Sequence, residues 1–502
     1  MTGHVPVIIV GAGPVGVTAA TLLARRGIAS VLLEKYQAPY PLPRAVHLDD
    51  EVARILQAAG VAEQFAKTSR PMPGMRLVDA QHKTMAEFKR AGGAGPNGYP
   101  RANMFDQPEL EQILLDNLAA HPLVTLRRGC EVTSVEGTGP VTVRYTQDGA
   151  EHQITSGTLL GADGANSLVR QAIGSGLRDL RFAERWLVID VRSPRPLCDW
   201  GGVYQICDPA RAATFMHVTG DRYRWEFRLA DGETAGELTA PGQLARLLKP
   251  WTPDISDLEI IRQATYTFRA RVADRWRQGR VFLLGDAAHQ TPPFIGQGLG
   301  AGLRDAANLT WKLAAVLRGQ AGEEILDTYE QERRPHVTRT IRAAVTVGWA
   351  LTGGQDRAAI IRRIALAGLC RVPGFSTAVV DSASPRLTGS ALLDRRRLRQ
   401  RDPAGRLCPQ PAILADPDEV RLDALLGDGW ALLTDGQADA PAGVRHVDIS
   451  ALGPAGTAQM RRWLRKHRTH AALVRPDRVV AATGRRALTT SMPTTLNGPV
   501  SR

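Results

Sequence analysis

The chain has 502 residues, of which 43% are hydrophobic, and it carries a formal net charge of +13 at pH 7. At roughly 150 residues per domain, this length predicts about three domains with ordinary globular cores. The basic residues are interleaved with acids and no apolar run reaches the length of a membrane span, which argues against nucleic-acid and membrane partners and favours a cytoplasmic protein. The five cysteines are scattered without a CxxC pair, which argues against a disulfide framework and against a metal site.

The first element is a short apolar strand that leads into a glycine-rich turn. The run Val5–Val10 is apolar at nearly every position, as is typical of a strand covered on both faces. Gly11 permits a tight turn, Gly13 lets the backbone approach a phosphate, and Gly16 lets the next helix pack close to the strand. This spacing predicts a site for the pyrophosphate of a dinucleotide.

A helix and a second strand complete this unit. The helix is predicted from Pro14 to about Arg26, ended by Gly27, and its N-terminal N–H groups and dipole would face the phosphates. The second strand is predicted at 29–33. Glu34 follows it, at about the spacing from the glycines at which an acid meets ribose hydroxyls. A plain strand–helix–strand crossover is the alternative, but the glycines combined with the terminal acid favour the dinucleotide.

A second strand–turn–helix segment lies at 159–169. Its apolar strand ends in the turn Asp163-Gly164, and the helix that follows is predicted to be capped by Asn166 or Ser167. Taken alone, an Asp-Gly turn is a common loop device.

A third such segment lies at 281–317. A short apolar strand ends at Gly285-Asp286, and the glycine-rich stretch 292–302 leads into a helix predicted over 303–317. A helix N-terminus favours negative charge, which reduced flavin carries. Together with the first unit, these segments predict one FAD held by separated parts of the chain.

These motifs, in this order, resemble those of the class A flavoprotein aromatic hydroxylases, which are FAD-dependent monooxygenases. Within that family the chain is similar to the 3-(3-hydroxyphenyl)propionate hydroxylase branch over roughly residues 5–350. The segments that carry this closer resemblance are PRAVHLDDE at 43–51, MFDQPELE at 104–111, QICDP at 205–209, RWEF at 224–227 and YEQERRPH at 329–336.

The resemblance implies an α/β fold: a Rossmann-like FAD domain of the glutathione-reductase type, an inserted mixed β-sheet substrate domain, and a small C-terminal thioredoxin-like domain. The C-terminal part has no CxxC, so we expect a structural role for it, including a contact in a homodimer, rather than a redox role. The basic run at 395–401 is interpreted as a solvated connector. The implied parts are 1–75, 106–178 and 272–350 for FAD, 76–105 and 179–271 for the substrate, 351–404 as a helical linker and 405–502 as the C-terminal domain.

The resemblance also assigns roles to single residues. Glu34 would bind the adenosine ribose, Arg44 would lie over the pyrophosphate near the isoalloxazine, and Gln107 would contact the flavin side of the cofactor. Asp163 would belong to a motif shared by FAD and the nicotinamide cofactor, and Asp286 would hold the ribityl chain. The predicted cofactor-binding residues are Gly11, Gly13, Pro14, Val15, Gly16, Glu34, Lys35, Arg44, Gln107, Asp163, Gly285, Asp286, Pro293, Gly296, Gly298, Leu299 and Gly300.

One position departs from the family pattern. Many relatives carry Asn or another side chain where this chain has Gly300. The departure leaves the flavin edge to backbone donors in this chain.

The reaction implied by the resemblance uses FAD, NADH or NADPH, and O2. The nicotinamide reduces the flavin, O2 forms a flavin C4a-hydroperoxide, and a phenol made electron-rich by partial deprotonation attacks it. The protein must orient the ring, exclude water and draw the phenol proton. The predicted catalytic residues are Arg44, His47, Tyr204 and His217, and the predicted substrate-binding residues are Tyr204, His217, Trp225, Arg228 and Pro292.

Alternation along the strand at 223–229 sends neighbouring side chains to opposite faces of the sheet. Arg224, Glu226 and Arg228 share one face, and Tyr223, Trp225 and Phe227 share the other. Either set could line the pocket, and Arg224 or Arg228 could hold a substrate carboxylate by a bidentate contact.

The leading hypothesis is therefore a hydroxylase of a phenolic acid resembling 3-hydroxyphenylpropionate. A tailoring oxygenase of a larger polycyclic aromatic would keep every cofactor motif and differ only in the pocket. A flavin halogenase is disfavoured because the sequence has no Trp-x-Trp-x-Ile-Pro segment. A non-catalytic flavin-binding protein is the alternative of another class.

Overall fold

The computed structural model describes residues 4–90, 92–352, 384–394, 402–414 and 419–489. Much of the predicted linker, including the basic run 395–401, lies outside the described residues. No helix within the described ranges has both the length and the apolar character that a membrane crossing requires.

The α-helices span Pro14–Ala24, Asp50–Ala59, Ala62–Thr68, Gln107–Ala119, Leu168–Ala172, Ala235–Thr239, Pro241–Leu248, Gly298–Leu317, Asp327–Thr352, Leu422–Leu426, Gly453–Lys466 and Arg485–Thr489. Short 3-10 helices span Gly285–Ala287, Pro293–Ile295, Glu323–Leu326 and Ile449–Ala451.

The first sheet contains the strands of all three predicted motifs. Its central strand His4–Val10 pairs in parallel on both sides, and the fully buried Val7, Ile8 and Ile9 explain the apolar run in the sequence. Gly27 ends the first helix region in the left-handed conformation, with φ of 69°. The strand order is Arg277–Gln278, Val281–Leu283, Ala150–Gly161, His4–Val10, Ser30–Glu34 and Val124–Arg128, and Val141–Gln147 and Glu131–Glu136 extend the sheet as an antiparallel branch from Ala150–Gly161.

Parallel pairing places the carboxyl ends of these strands at one edge of the first sheet. Val10 pairs with Gly161 and Leu33, and Gly161 pairs with Leu283. The turns that follow the strands, at Gly11, Asp163 and Gly285, therefore converge although they are far apart in the chain. Ligands of open α/β sheets bind at this edge.

The second sheet has the strand order His289–Gln290, Glu259–Ala273, Leu177–Arg192, Arg222–Arg228, Ala213–His217, Val203–Ile206, Gly74–Val78 and Thr84–Lys89. Directly paired residues share a face of a sheet, so the register defines two faces. The inner face carries Trp186, Val188, Asp190, Gln205, Thr214, Met216, Arg224, Glu226, Arg262, Tyr266 and Phe268, and the outer face carries Leu187, Ile189, Tyr204, Phe215, His217, Tyr223, Trp225 and Phe227.

Apolar packing shows what covers each face. The outer face packs against the helix Pro241–Leu248 and Trp251 in one buried cluster. On the inner face, Met216 and Val203 pack with Val46, close to the first sheet. The inner face is therefore the one that looks toward the converging turns.

Three smaller sheets complete the described fold. The strands His47–Asp49, Ala102–Met104 and Arg70–Pro71 form a three-stranded antiparallel sheet between the two large ones. Near the C-terminus, four strands occur in the order Arg445–Asp448, Ala431–Thr434, Ala471–Val474 and Val480–Thr483. The strands Ala412–Leu414 and Glu419–Arg421 form a hairpin beside them.

The C-terminal strands share a core with the first sheet. Trp430, Leu432 and Leu473 belong to the same buried cluster as Ile8, and the Trp430 ring meets Trp311 edge to face at 5.9 Å. This packing joins the C-terminal part to the helix Gly298–Leu317.

A buried charge cluster reinforces the same contact. Arg475, fully buried, donates two hydrogen bonds to Glu332, of 2.6 and 2.9 Å, and two more to Asp477. Lys312 donates to the same Glu332 carboxylate at 2.9 Å. Burial lowers the pKa of Lys312 to about 8, whereas the charges of Arg475 and Lys312 overcome burial and hold the pKa of Glu332 far below its usual range. The four side chains balance each other's formal charge.

We expect Arg475→Met to destabilise the protein by about 3–5 kcal/mol, because it leaves buried carboxylates without their bidentate partner. The urea midpoint of unfolding, followed by circular dichroism, measures the change. Arg461→Met is the matched control: Arg461 pairs with Asp435 on the exposed surface of the same part of the chain, and its loss should leave the midpoint unchanged. Equal midpoints for the two variants would contradict a stabilising role for the buried cluster.

Candidate active site

The three glycines of the first turn are under different structural constraints. Gly11 has φ of 100°, and a Cβ there would lie 2.4 Å from the Ala162 carbonyl oxygen. A Cβ on Gly16 would lie 1.9 Å from the carbonyl oxygen of Gly11. Gly13 has an ordinary φ of −71°, and a Cβ there would meet nothing within 4 Å. Chain packing therefore accounts for Gly11 and Gly16, whereas Gly13 borders open space where a ligand's phosphates fit.

The helix that begins at Pro14 presents its N-terminus to this space. Gly13 is its N-cap residue and supplies no side-chain cap, so the first backbone N–H groups are available to an anion. Val15, in the first turn, packs beside Gly285, whose Cβ would lie 3.2 Å from it. The first and third motifs are thus in direct contact.

Glu34 lies beside the same turn. Its Oε2 accepts a hydrogen bond of 2.7 Å from the backbone N–H of Ala12, and its Oε1 accepts one of 2.9 Å from that of Tyr36. A carboxylate can accept further hydrogen bonds, so these contacts orient Glu34 without using its full capacity. Lys35 is exposed, with its ammonium group 4.7 Å from the centre of the Tyr36 ring.

The backbone at Pro43–Ala45 is held from both sides. The Gln107 Oε1 accepts hydrogen bonds from the N–H groups of Arg44 (3.2 Å) and Ala45 (2.6 Å). From the second sheet, Arg224 donates to the carbonyl oxygens of Arg44 (2.7 Å) and Pro43 (2.9 Å). These four bonds fix the path of the segment between the two sheets.

The side chains of this segment behave differently from its backbone. The Arg44 guanidinium is exposed and lies 4.4 Å from the centre of the Tyr40 ring. Gln107 is buried, and its amide N–H donates to Glu111 at 2.6 Å. Gln107 was predicted to contact the cofactor directly; in the structure its polar atoms bind this chain and position the Arg44 segment.

Asp163 and Asp286 end the second and third strands of the site. The Asp163 Oδ2 caps the short helix after it by accepting the Val169 N–H at 3.0 Å, and its Oδ1 is buried without a hydrogen-bond partner among the described residues. Arg170 joins the two turns, because its guanidinium donates to the carbonyl oxygens of Ala165 (3.0 Å) and Ala287 (3.1 Å).

The side chain of Asp286 is exposed to solvent, yet the surrounding protein keeps part of the water away from its carboxyl group. This partial desolvation raises the pKa of the carboxyl group, and the charges of His289 and Arg44 act in the opposite direction. Behind it, the buried His289 bonds Asp305 at 2.7 Å, so His289 supports the turn. An accessible carboxylate at the end of a parallel strand, beside the Gly13 space, fits a ligand that carries hydroxyl groups.

The third motif forms a tight turn and then a helix. Gly296 has φ of 61°, and a Cβ there would lie 2.6 Å from the Nδ1 of His47. The helix begins at Gly298 and includes Leu299 and Gly300, five residues before the predicted start at 303.

The structure explains the unusual Gly300 by packing within the chain. A Cβ at this position would lie 2.8 Å from a guanidinium nitrogen of Arg304 and 3.1 Å from Val52. Arg304 is buried and bonds Asp49 and Glu51, which raises its pKa despite burial. Sequence reasoning missed this cluster; its signal was the acidic LDDE end of the segment at 43–51.

His47 lies against the Gly296 turn. Neither ring nitrogen has a hydrogen-bond partner among the described residues. Burial, with a smaller effect from the Arg90 charge, lowers the pKa of His47 to about 4, so the ring is neutral near pH 7. Next to the same turn, Pro292 is buried and Pro293 is partly exposed.

Three predicted substrate residues lie elsewhere, and this corrects the expectation that they line the pocket. Tyr204, His217 and Trp225 are on the outer face of the second sheet. Trp225 is fully buried in the outer core, and the His217 Nε2 bonds the Gly220 carbonyl oxygen at 2.8 Å. Strand alternation decides the face, and sequence alone did not show which face meets the cofactor motifs.

The inner face meets the cofactor motifs at two places. Arg224 reaches Pro43 and Arg44, and Trp186 meets the ring of Phe294, in the turn after Pro293, edge to face at 5.9 Å. The inner face of the second sheet, the segment 43–47 and the turn 292–296 therefore border one common region, which we call the cleft.

The arginines of the inner face already have carboxylate partners within the chain. Arg224 and Arg262 both pair with Asp190, at 2.7 and 3.0 Å. Arg228 lies at the strand end, 3.5 Å from Glu184. The predicted bidentate clamp for a substrate carboxylate does not match Arg224, because its guanidinium donors bind Asp190 and two carbonyl oxygens.

Comparison with protein families gives one match that covers most of the chain. Residues 4–344 match the family described as "FAD binding domain". A probable NADH-specific resorcinol 4-hydroxylase of Rhodococcus jostii (strain RHA1) is 33% identical over 507 residues, which cover 96% of this chain and 92% of that protein. A 3-(3-hydroxy-phenyl)propionate/3-hydroxycinnamic acid hydroxylase of Burkholderia cenocepacia (strain HI2424) is 33% identical over 514 residues, which cover 95% and 93%.

A solved structure is also similar over the whole chain. Aklavinone-11 hydroxylase, determined in a ternary complex with FAD and aklavinone, has a TM-score of 0.79 and 25% sequence identity. The match covers 99% of each chain. The likeness extends over the second sheet and the C-terminal part as well as the first sheet.

We expect Gly13→Val to weaken FAD binding at least tenfold while leaving the fold intact, because its side chain enters only the open space beside the helix N-terminus. A tenfold change corresponds to about 1.4 kcal/mol. Flavin absorbance per protein and titration of the flavin-free protein measure the effect. Gly242→Val is the control, since a Cβ there also meets nothing within 4 Å but lies on the remote helix Pro241–Leu248. Full flavin occupancy in Gly13→Val would show that the phosphates lie elsewhere.

Proposed function

The chain belongs to the FAD binding domain family and is an FAD-dependent aromatic-ring monooxygenase, and we propose that its substrate is a small phenol of the 3-hydroxyphenylpropionate or resorcinol type. NADH or NADPH and O2 are its co-substrates. The observation that carries the substrate class is the match over more than nine-tenths of both chains to hydroxylases of such phenols. Overall, a phenol, NAD(P)H, a proton and O2 give a ring with one additional hydroxyl group, NAD(P)+ and water.

We infer that FAD lies along the carboxyl edge of the first sheet. The open space at Gly13 and the uncapped helix start at Pro14 fit the pyrophosphate, and Glu34 fits the adenosine ribose. The accessible carboxylate of Asp286 fits the ribityl hydroxyls. FAD, when bound, accepts a hydride from the nicotinamide and activates O2.

Of the residues predicted as catalytic, Arg44 and His47 stay in the proposed site. The fixed backbone of Arg44 with its exposed guanidinium suits a cation that serves the pyrophosphate and the flavin edge. His47 is neutral near pH 7, so it offers a hydrogen bond without placing a charge beside the flavin. Pro292 and Pro293 form the part of the wall that keeps water from the reacting atoms.

We propose the following division of the chain. The strands of the first sheet, drawn from 1–75, 106–178 and 272–350, hold FAD, and the second sheet, largely from 76–105 and 179–271, covers the substrate. The strand Gly74–Val78 joins the second sheet just before the proposed boundary.

We infer that the C-terminal part has a thioredoxin-like fold. The first strand in the chain, Ala431–Thr434, pairs in parallel with the second, Arg445–Asp448, which forms one edge of the sheet. On its other side the first strand pairs antiparallel with the third strand, and the third pairs antiparallel with the fourth. The helix Gly453–Lys466 follows the second strand. A loop at 435–444 joins the first two strands where a thioredoxin fold has its first helix. Cys408 is buried, and burial raises its pKa to about 12, so it is inert as a thiolate.

A second candidate substrate is a larger polycyclic aromatic. Trp186, Phe268 and Phe294 form a wall of aromatic rings on the inner side of the cleft, and such rings stack well on extended ring systems. The similarity to aklavinone-11 hydroxylase over the whole chain favours the same candidate.

A panel of phenols graded by size tests the proposal. We expect resorcinol or a hydroxyphenyl acid to stimulate flavin reduction by NADH or NADPH and to gain the mass of one oxygen atom. Stimulation only by polycyclic phenols would favour the second candidate. Flavin bound without turnover on any member of the panel would contradict both and favour a non-catalytic flavoprotein.

A further inference from the structure

Glu226 is a buried carboxylate on the inner face that the preceding site leaves unused. Its side chain is 12% exposed, and its carboxylate has no hydrogen bond from any described residue. The nearest cation is Arg224, whose Nη1 lies 3.8 Å from Oε1, beyond hydrogen-bond distance. An acceptor that is nearly buried and not satisfied by its own chain points to a donor that the ligand brings.

We propose that Glu226 contacts the substrate and accepts the hydrogen bond of its reacting phenolic hydroxyl. This proposal rests on the proposed function, since it names the group at that site which activates the ring.

The register of the second sheet places Glu226 at the middle of the cleft. Arg224, two residues before it, reaches the segment 43–44. The row two residues further along pairs Arg228 with Trp186, which meets Phe294. Rows on one face are about 7 Å apart, so Glu226 faces the gap between the two segments that flank the flavin site.

The neighbours of Glu226 in its row are suited to a hydroxylated ring. Glu226 pairs with Val188 on one side and with Thr214 on the other. The Thr214 hydroxyl donates to Gln205 Oε1 at 3.2 Å, which leaves the Thr214 oxygen free to accept. The row thus offers an apolar contact beside hydrogen-bond acceptors.

The charges around Glu226 favour a hydroxyl group of the substrate, rather than a substrate carboxylate, next to the Glu226 side chain. Arg224 and Arg262 are both paired with Asp190, and Arg228 is paired with Glu184. A substrate carboxylate in this row would face Glu226 without a guanidinium of its own. The chemistry recognised here is therefore a neutral phenol hydroxyl, and any acid group of the substrate lies elsewhere in the cleft.

The same surroundings tune Glu226 as a proton acceptor. Burial raises the pKa of Glu226, and Asp190 adds to the rise, while Arg224 and Arg262 oppose it. A carboxylate with a raised pKa is closer in pKa to a phenol, so Glu226 accepts the phenolic proton more readily than an ordinary carboxylate would. The charged and titratable groups that share this part of the cleft are Arg44, Asp190, Arg224, Arg262 and Tyr266.

The proton balance is simple. The phenol O–H proton moves to Glu226, and the electron pair that stays on oxygen enriches the ring. The ring carbon forms its bond to one oxygen atom of O2, which NAD(P)H has reduced to the level of a peroxide, as the O–O bond breaks. The other oxygen atom leaves as water and takes up the proton that the ring carbon loses. Glu226 returns its proton to the phenolate oxygen, so the carboxylate is regenerated and the overall reaction is unchanged.

The test compares Glu226→Gln with the intact enzyme, both loaded with FAD. We expect kcat/KM for a phenol to fall at least tenfold at pH 7, with unchanged flavin occupancy and unchanged binding of NADH or NADPH. The deficit should shrink as the pH rises toward about 10, where free phenols ionise without help. Glu226→Asp should recover part of the loss. A structural role alone would give a deficit that does not depend on pH.

Glu259→Gln is the matched control. Glu259 lies on the same sheet, its side chain is 65% exposed, and it pairs with Arg192 on the surface. We expect it to keep wild-type kinetics at every pH. If Glu226→Gln matches it, or if its deficit is constant with pH, the role of Glu226 is overturned while the proposed function stands. If the wild-type enzyme turns over no phenol, the proposed function itself fails. If Glu226→Gln does not fold, the pH profile of Glu226→Asp decides the matter by the same criterion.

Discussion

The guanidinium of Arg224 is the contact on which the geometry of the site depends. It is buried between the two large sheets, where Asp190 neutralises it and two backbone carbonyls of the segment 43–44 complete its hydrogen bonds. Gln107 holds the same segment from the opposite side. A lysine could not make this planar set of bonds. One side chain and its partners therefore connect the segment 43–44 to the inner face of the second sheet.

The first sheet and the turns at the ends of its strands could be predicted from the sequence because their causes are largely local. Gly16 is required by a contact within its own turn, Gly11 has a positive φ, and Asp286 stands in the short turn after its strand. Such features keep their spacing in the chain whatever the rest of the fold does. The order of the motifs was then enough to indicate the first sheet, since parallel strands bring their carboxyl ends together.

The substrate half could not be predicted because it depends on register and on partners distant in the chain. The alternation of Trp225 and Glu226 was visible, but only the pairing with 186–190 and the contacts of Arg224 show that Glu226 lies on the face toward the segment 43–44. Tyr204 and His217 were misplaced for this reason. Gly300 likewise depends on Arg304, one turn further along the same helix, which pairs with acidic residues distant in the chain.

The contrast between the local causes in the first sheet and the register-dependent causes in the second also concerns the proteins that the chain resembles. Two hydroxylases are one third identical to this chain over more than nine-tenths of both sequences. The inner face of the second sheet is constrained less by local geometry, because a side chain there needs only the right register and a tolerable charge. A substitution at Val188 or Thr214, the neighbours of Glu226 in its row, changes the contacts offered to a substrate, while Arg224 keeps its hydrogen bonds to Asp190 and to the segment 43–44. Substrate choice in this fold can therefore change while the oxygen chemistry is kept.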